Sequence, residues 1–297
     1  MLTAALCVLM SLPPVENPSG VTAPGAKLTK LAGGFTFTEG PASDAKGNVY
    51  FTDQPNDRIL VWTVKGRLET FLQPCGRSNG LCFDRRGRLW ACADERNELW
   101  VIDVKSKTHT VAVKGDENGG RLNGPNDVWV APDGSVYFTD PYYRRSYWPE
   151  GTEMRPPQSV FRLSPDGKTL TRVVDDLRQP NGIIGPADGK TLYVADIGAG
   201  KTYVYDIGPN GALTNKRLFC SMGSDGMTID SEGNVYLTGP GVVVFDRSGK
   251  EIERIPVPDE RWTANVCFGG SDRKTLFITA GTGLYAIRTR THGVGSQ

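Results

Sequence analysis

The sequence predicts an all-β protein: a six-bladed β-propeller of four-stranded antiparallel blades, its ring closed by pairing of the N- and C-terminal strands. Three observations predict it. One unit recurs six times along the 297 residues, each copy running from a polar start through a short apolar strand and an Asp/Gly turn to an aromatic-rich strand. Glycine (36) and proline (20) are too frequent for a helical chain, and they fall between Val, Tyr, Phe and Trp runs, where hairpin turns belong. The ends of the copies lie roughly 41 to 56 residues apart, the spacing of four-stranded blades.

The copies are EGPASDAKGNVYFTD (Glu39–Asp53), NGLCFDRRGRLWACAD (Asn79–Asp94), NGPNDVWVAPDGSVYFTD (Asn123–Asp140), NGIIGPADGKTLYVAD (Asn181–Asp196), DGMTIDSEGNVYLTG (Asp225–Gly239) and ANVCFGGSDRKTLFITA (Ala264–Ala280). Between them lie strands that complete each blade, such as Arg58–Trp62, Glu98–Ile102, Val160–Leu163 and Tyr203–Asp206. The last strand, Gly283–Arg288, needs an outer neighbour, and Leu28–Leu31 supplies it, so that no sheet edge stays open. The longest interval carries an aromatic and basic insertion, Tyr142–Gln158, long enough to be a lid or an interface. The propeller is expected over residues 26–290, with a tail at 291–297.

The first 25 residues stand apart. An apolar stretch up to Val15 runs into a Pro/Gly/Ser/Thr linker and reads as a secretory signal without its basic start, which places the protein in the periplasm or outside the cell; an unstructured N-terminus is the other reading. Nothing later is long and apolar enough to span a bilayer, so no membrane partner is expected. A net charge of +1 gives no nucleic-acid footprint, and a small, weakly charged ligand fits better. The six cysteines show no CxxC spacing; Cys82 and Cys92 flank one hairpin and either pair or remain buried thiols.

Inner strands of a propeller start around one mouth of the central channel. Residues distant in sequence therefore become neighbours there, and the starting positions hold Glu39, Asn79, Asn126, Asn181, Asp225 and Asn265. The plainer reading is that Asn-Gly and Asp-Gly at three of these positions merely make turns. Two carboxylates and several carboxamides form an oxygen-only set suited to one divalent cation, calcium first, with magnesium, manganese or zinc as alternatives. The two histidines, His109 in an expected outer strand (Thr108–Val113) and His292 in the tail, offer nothing to a zinc centre or a His-based triad. Beside a cation, Asp225 is a candidate catalytic residue, as general base or as nucleophile. Arg121 and Asn123 are candidates for binding substrate, although Arg121 could equally make a blade-to-blade ion pair. Asp127 is expected to orient a neighbour.

The series EGP at Glu39, NGL at Asn79, RLNGPNDV at Arg121, PNG at Pro180, DGM at Asp225 and NVCFGG at Asn265 resembles the senescence marker protein/gluconolactonase/luciferin-regenerating-enzyme family, most closely its bacterial gluconolactonase branch. The resemblance covers about Leu28 to Arg288. It implies a metal-dependent lactonase acting on sugar lactones, with a minority activity on organophosphates in the family. It also implies metal ligation by Glu39, Asn126, Asn181 and Asp225, catalysis by Asp225 and substrate contact at Arg121 and Asn123. A phosphotriesterase and a non-enzymatic binding propeller with a structural metal are the alternatives, and oligomeric state is left open.

Overall fold

A computed structural model describes residues 20–258 and 260–294. The expected signal stretch, residues 1–15, lies outside the described residues. After β1 (Thr29–Gly33), blade one is β2 (Thr38–Ser43), β3 (Val49–Asp53), β4 (Arg58–Trp62) and β5 (Leu68–Leu72). Blade two is β6 (Ser78–Phe83), β7 (Leu89–Ala93), β8 (Glu98–Asp103) and β9 (Thr108–Val113). Blade three is β10 (Val128–Val130), β11 (Val136–Asp140), β12 (Ser159–Leu163) and β13 (Leu170–Val174). Blade four is β14 (Pro180–Ile184), β15 (Thr191–Asp196), β16 (Lys201–Ile207) and β17 (Leu213–Cys220). Blade five is β18 (Met227–Ile229), β19 (Val235–Gly239), β20 (Gly241–Phe245) and β21 (Glu251–Ile255). In blade six, β22 (Thr263–Gly269), β23 (Thr275–Ala280) and β24 (Gly283–Arg288) are completed by β1, which pairs antiparallel with β24 and closes the ring as expected.

Each sheet is an antiparallel meander because its connections are short turns. Asp44 and Asp230 show how: each carboxylate accepts two backbone N–H groups of its own turn, and the glycine that follows takes a left-handed φ, +87° at Gly47 and +80° at Gly233. Both faces of every blade are covered, so the middle strands are apolar on both sides; β19 and β11 are buried throughout. The core is accordingly six clusters, one between each pair of neighbouring blades. Tyr50, Ile59 and Phe71 of blade one meet Leu81, Leu89 and Trp100 of blade two, and Val49, Phe51 and Leu60 meet Cys267, Phe277 and Leu284 of blade six.

The five described cysteines are free thiols, so Cys82 and Cys92 do not pair. His109 lies exposed on β9 and stacks on Trp100, ring centroids 3.6 Å apart. Past the last strand the chain crosses the end of the channel opposite the mouth. The His292 carbonyl accepts the Ser231 N–H at 2.8 Å, Gly293 N–H donates to Arg273, and Val294 packs among Met227 and Ile229.

Candidate active site at the channel mouth

Inter-blade hydrogen bonds fix the ring position of each inner strand. Thr52 Oγ1 donates to the Asn79 carbonyl, Gly80 N–H to the Asn126 carbonyl and Thr238 Oγ1 to the Ala264 carbonyl. The mouth ring is therefore Glu39, Asn79, Asn126, Asn181, Asp225 and Ala264. Asn265 sits one residue deeper than its Asn identity suggests. The next layer holds Gly40, Gly80, Asp127, Gly182, Gly226 and Asn265. Its glycines make room: a Cβ on Gly80 would lie 2.6 Å from Asp127 Oδ1 and from the Asn126 carbonyl, and one on Gly226 would overlap the Asn265 carboxamide. Of the four, Gly40 alone has a left-handed φ, so close approach rather than turn formation explains the Asn-Gly and Asp-Gly pairs at Asn79, Asn181 and Asp225.

Glu39 and Asn181 are buried, and Asp225 is half-buried among them. Asn181 Nδ2 donates to Asp225 Oδ1 at 2.8 Å and meets the Tyr143 hydroxyl at 2.8 Å, while Trp262 Nε1 donates to Asp225 Oδ2 at 2.6 Å. Glu39 accepts the Gly40 N–H at 2.8 Å, and burial, reinforced by the charge of Asp225, pushes its carboxyl well above the usual range. Burial also raises Asp225, opposed by the Trp262 and Asn181 hydrogen bonds. Below them burial pushes Asp127 up to about 7, although its carboxylate accepts the Val128 and Ile183 N–H groups. The Asn265 carboxamide favours the charged forms of both Glu39 and Asp127.

This arrangement fits a divalent cation. Three carboxyl groups raised by burial are short of positive charge, and the buried oxygens Oδ1 of Asn79 and of Asn181 have no hydrogen-bond partner. Among the described residues no three His, Cys, Asp or Glu side chains cluster closely enough to hold a metal by themselves, so carboxamide oxygens must complete any such site.

The aspartate that closes the second strand of a blade positions the ring. Asp53 accepts the Thr36 and Phe37 N–H groups, Asp140 those of Asn123 and Gly124, and Asp196 those of Arg178 and Gln179. Each carboxylate thus fixes the segment leading into Glu39, Asn126 or Asn181. In blade two the counterpart, Asp94, holds the insertion instead: it accepts Arg145 Nε at 2.6 Å, Tyr147 Oη at 2.7 Å and Gln54 Nε2 at 3.2 Å, and its carbonyl accepts Trp148 Nε1. Trp148 is buried against Gly124, so residues 142–158 form a fixed rim carrying Tyr143 to Asn181.

The structure brings Glu39, Asn126, Asn181 and Asp225 into one ring. Arg121 and Asn123 stand aside from it. Arg121 donates to the carbonyls of Leu122 and Glu153 and covers the Trp148 ring, and Asn123 exchanges two hydrogen bonds of 2.7 Å with the Arg155 backbone. Both line a separate cavity of about 210 Å³ with Asp116, Arg155 and Arg172. Asp127 binds the backbone of the neighbouring blade at Ile183, as befits an orienting residue. Sequence reasoning missed Trp262 and reached Tyr143 only as one aromatic residue of the insertion; neither occupies a position repeated among the blades.

Residues 37–282 match the family described as SMP-30/Gluconolactonase/LRE-like region. A gluconolactonase of Zymomonas mobilis is 30% identical over 293 residues, covering 89% of this chain and 81% of that protein. A pentonolactonase of Haloferax volcanii is 34% identical over 252 residues, covering 77% and 79%. The solved structure of a gluconolactonase from Xanthomonas campestris matches with a TM-score of 0.82 at 32% identity and 91% coverage of both chains. Six repeats in register, a mouth ring of carboxylates and carboxamides and these matches lead to one assignment: the chain belongs to the SMP-30/gluconolactonase/LRE-like family.

Proposed function

We propose that this protein is a lactone hydrolase that opens sugar lactones with the help of one divalent cation, calcium before magnesium, manganese or zinc. Glu39, Asn126, Asn181 and Asp225 would hold the ion. The observation that carries the reading is the pairing of two carboxyl groups raised by burial, Glu39 and Asp225, with an unpartnered Asn181 oxygen at the mouth of a chain whose relatives include a gluconolactonase and a pentonolactonase. When bound, the cation supplies Lewis-acid polarisation of a carbonyl and charge for the developing oxyanion.

The protein's own groups supply the rest. Asp225, oriented by Asn181 on one oxygen and Trp262 on the other, takes a proton from the attacking water. The new bond forms between water oxygen and the lactone carbon, the ring C–O bond breaks, and the ring oxygen leaves with a proton as the alcohol. The hydroxy acid ionises, so each turnover releases one proton. Tyr143 keeps Asn181 in place, and Arg121 and Asn123 act by anchoring the rim at Glu153 and Arg155.

The test is proton release from gluconolactone and five-carbon aldonolactones, corrected for spontaneous opening, after chelation and again with each ion added back. Metal-restored turnover is expected. Turnover of a phosphotriester and of no lactone would replace the reading with the organophosphatase alternative, and calcium binding without any hydrolysis would leave a binding propeller.

A further inference from the structure

Trp262 is one of six large apolar side chains exposed among the described residues, and the one whose polar atom is directed into the candidate site. It lies in the loop between β21 and β22, directly before the inner strand of blade six. Its indole nitrogen donates to Asp225 Oδ2 at 2.6 Å, while Asn181 of blade four donates to Oδ1 at 2.8 Å. The carboxylate of blade five is thus held between neutral donors from both flanking blades, which fixes its rotation without a competing charge. The residue is 37% exposed, with one edge of its ring over Gly239, where a Cβ would meet Trp262 Cη2 at 3.8 Å and Met222 Cε at 3.7 Å. Across the ring, blade four's Asn181 carries Tyr143 from the rim. Asp225 thus lies between the Trp262 indole and the Asn181–Tyr143 pair.

We propose that Trp262 is a positioning residue for Asp225 and, through its exposed ring, the platform that selects lactones presenting an apolar C–H face. This deepens the lactone-hydrolase reading and rests on it. The two roles use different parts of one side chain: the N–H aligns the base, and the ring binds substrate. They predict different kinetic losses. Trp262→Phe keeps a ring and removes the donor, so kcat should fall about 10- to 100-fold, the range for losing a hydrogen bond to a charged group, with KM changed less than about threefold. Trp262→Ala should lose kcat equally and also raise KM about tenfold for gluconolactone and for δ-valerolactone alike, since both lay C–H bonds against the ring.

The kinetic panel is run beside ¹⁵N-tryptophan spectra of the full chain, in which the Trp262 indole resonance is identified by its loss in Trp262→Phe. Asp225→Asn should move that resonance upfield as the charge-assisted bond is lost. A shift together with the kcat-only loss in Trp262→Phe supports the proposal. An unmoved resonance, or Trp262→Phe with wild-type kcat, overturns the positioning role; an unchanged gluconolactone KM in Trp262→Ala overturns the platform. Should the wild type open no lactone, the functional reading fails and the platform with it, while the spectra still decide whether Trp262 holds Asp225.

Discussion

Adding one methyl group at Gly226 tests the two-layer construction of the mouth. Its Cβ would fall inside the van der Waals shells of Cγ, Oδ1 and Nδ2 of Asn265, where about 3.5–4.0 Å is an ordinary contact. Asn265 is buried and its Oδ1 accepts the Val266 N–H at 2.8 Å, so the carboxamide must leave that bond to make room. Overpacking of this kind costs about 1–3 kcal/mol. For a chain of this size that is a fall in Tm of roughly 3–10 °C, well short of unfolding. Activity should suffer more, because the displaced group favours the charged forms of both Glu39 and Asp127; a shift of roughly 1 Å at a catalytic constellation costs about 100-fold in turnover. Gly182→Ala gives a graded comparison, since its Cβ would lie 3.0 Å from the Asp225 carbonyl and needs only a small adjustment. Gly208→Ala is the control, with φ at −87° and its nearest contact at 3.5 Å. The assay is lactone proton release beside thermal melts of all three. Gly226→Ala with turnover within twofold of wild type would refute the argument that this glycine exists to seat Asn265.

Asp225→Asn should abolish lactone turnover, by at least about 1,000-fold, with an unchanged circular-dichroism spectrum. Arg145→Ala should destabilise the protein by about 3 kcal/mol in urea melts, because it strands the buried Asp94 carboxylate, and Asp94→Asn in the same chain should recover part of the loss. In chelated protein, burial raises Asp127 and Asp140 from 3.8 to about 7. A carboxyl raised on folding contributes stability that is present below about 3.8 and is lost as pH climbs through about 7, so the urea midpoint should fall between pH 5 and pH 8. Calcium should narrow that gap at pH 8 by supplying the missing positive charge; a midpoint that rises with pH in chelator would contradict the burial of these groups.

The fold was legible because each blade repeats the same local chemistry. Strand residues with alternating bulk, an Asp that accepts two turn N–H groups and a Gly with positive φ are all written within about fifteen residues, as at Asp44–Gly47 and Asp230–Gly233. The ring residues Glu39, Asn126, Asn181 and Asp225 were legible for the same reason, since equivalent repeat positions converge on one mouth. Asn265 was misplaced by one residue because Ala264 carries no polar signal, and in a layered channel one residue is one layer. The closing aspartates Asp53, Asp140 and Asp196 repeat visibly, yet their role depends on segments 16 or more residues upstream that return beside them only in the folded sheet. Arg121 and Asn123 were legible as a crowded polar stretch, but their bonds to the rim were not, because that segment arrives some thirty residues later in sequence.

Glycine carries the deeper lesson about the mouth. In sequence, Asn-Gly selected for a left-handed turn and Asn-Gly selected for close approach are the same two letters. They diverge physically in what an added Cβ would strike. At Gly87, in a hairpin turn, an added Cβ would meet nothing within 4 Å and the strain resides in the chain's own φ of +74°; at Gly80 and Gly226 the φ is ordinary and the obstruction is Asp127 or Asn265 from the neighbouring blade. Those two side chains are the only ones in the second layer, and they come from blades three and six, which face each other across a six-fold ring. The glycines of the other four blades are therefore the counterpart of the Asp127–Asn265 pair. They empty the layer so that one acid and one amide can sit in it beneath Glu39, where the amide opposes, without reversing, the rise that burial imposes on the Glu39 carboxyl.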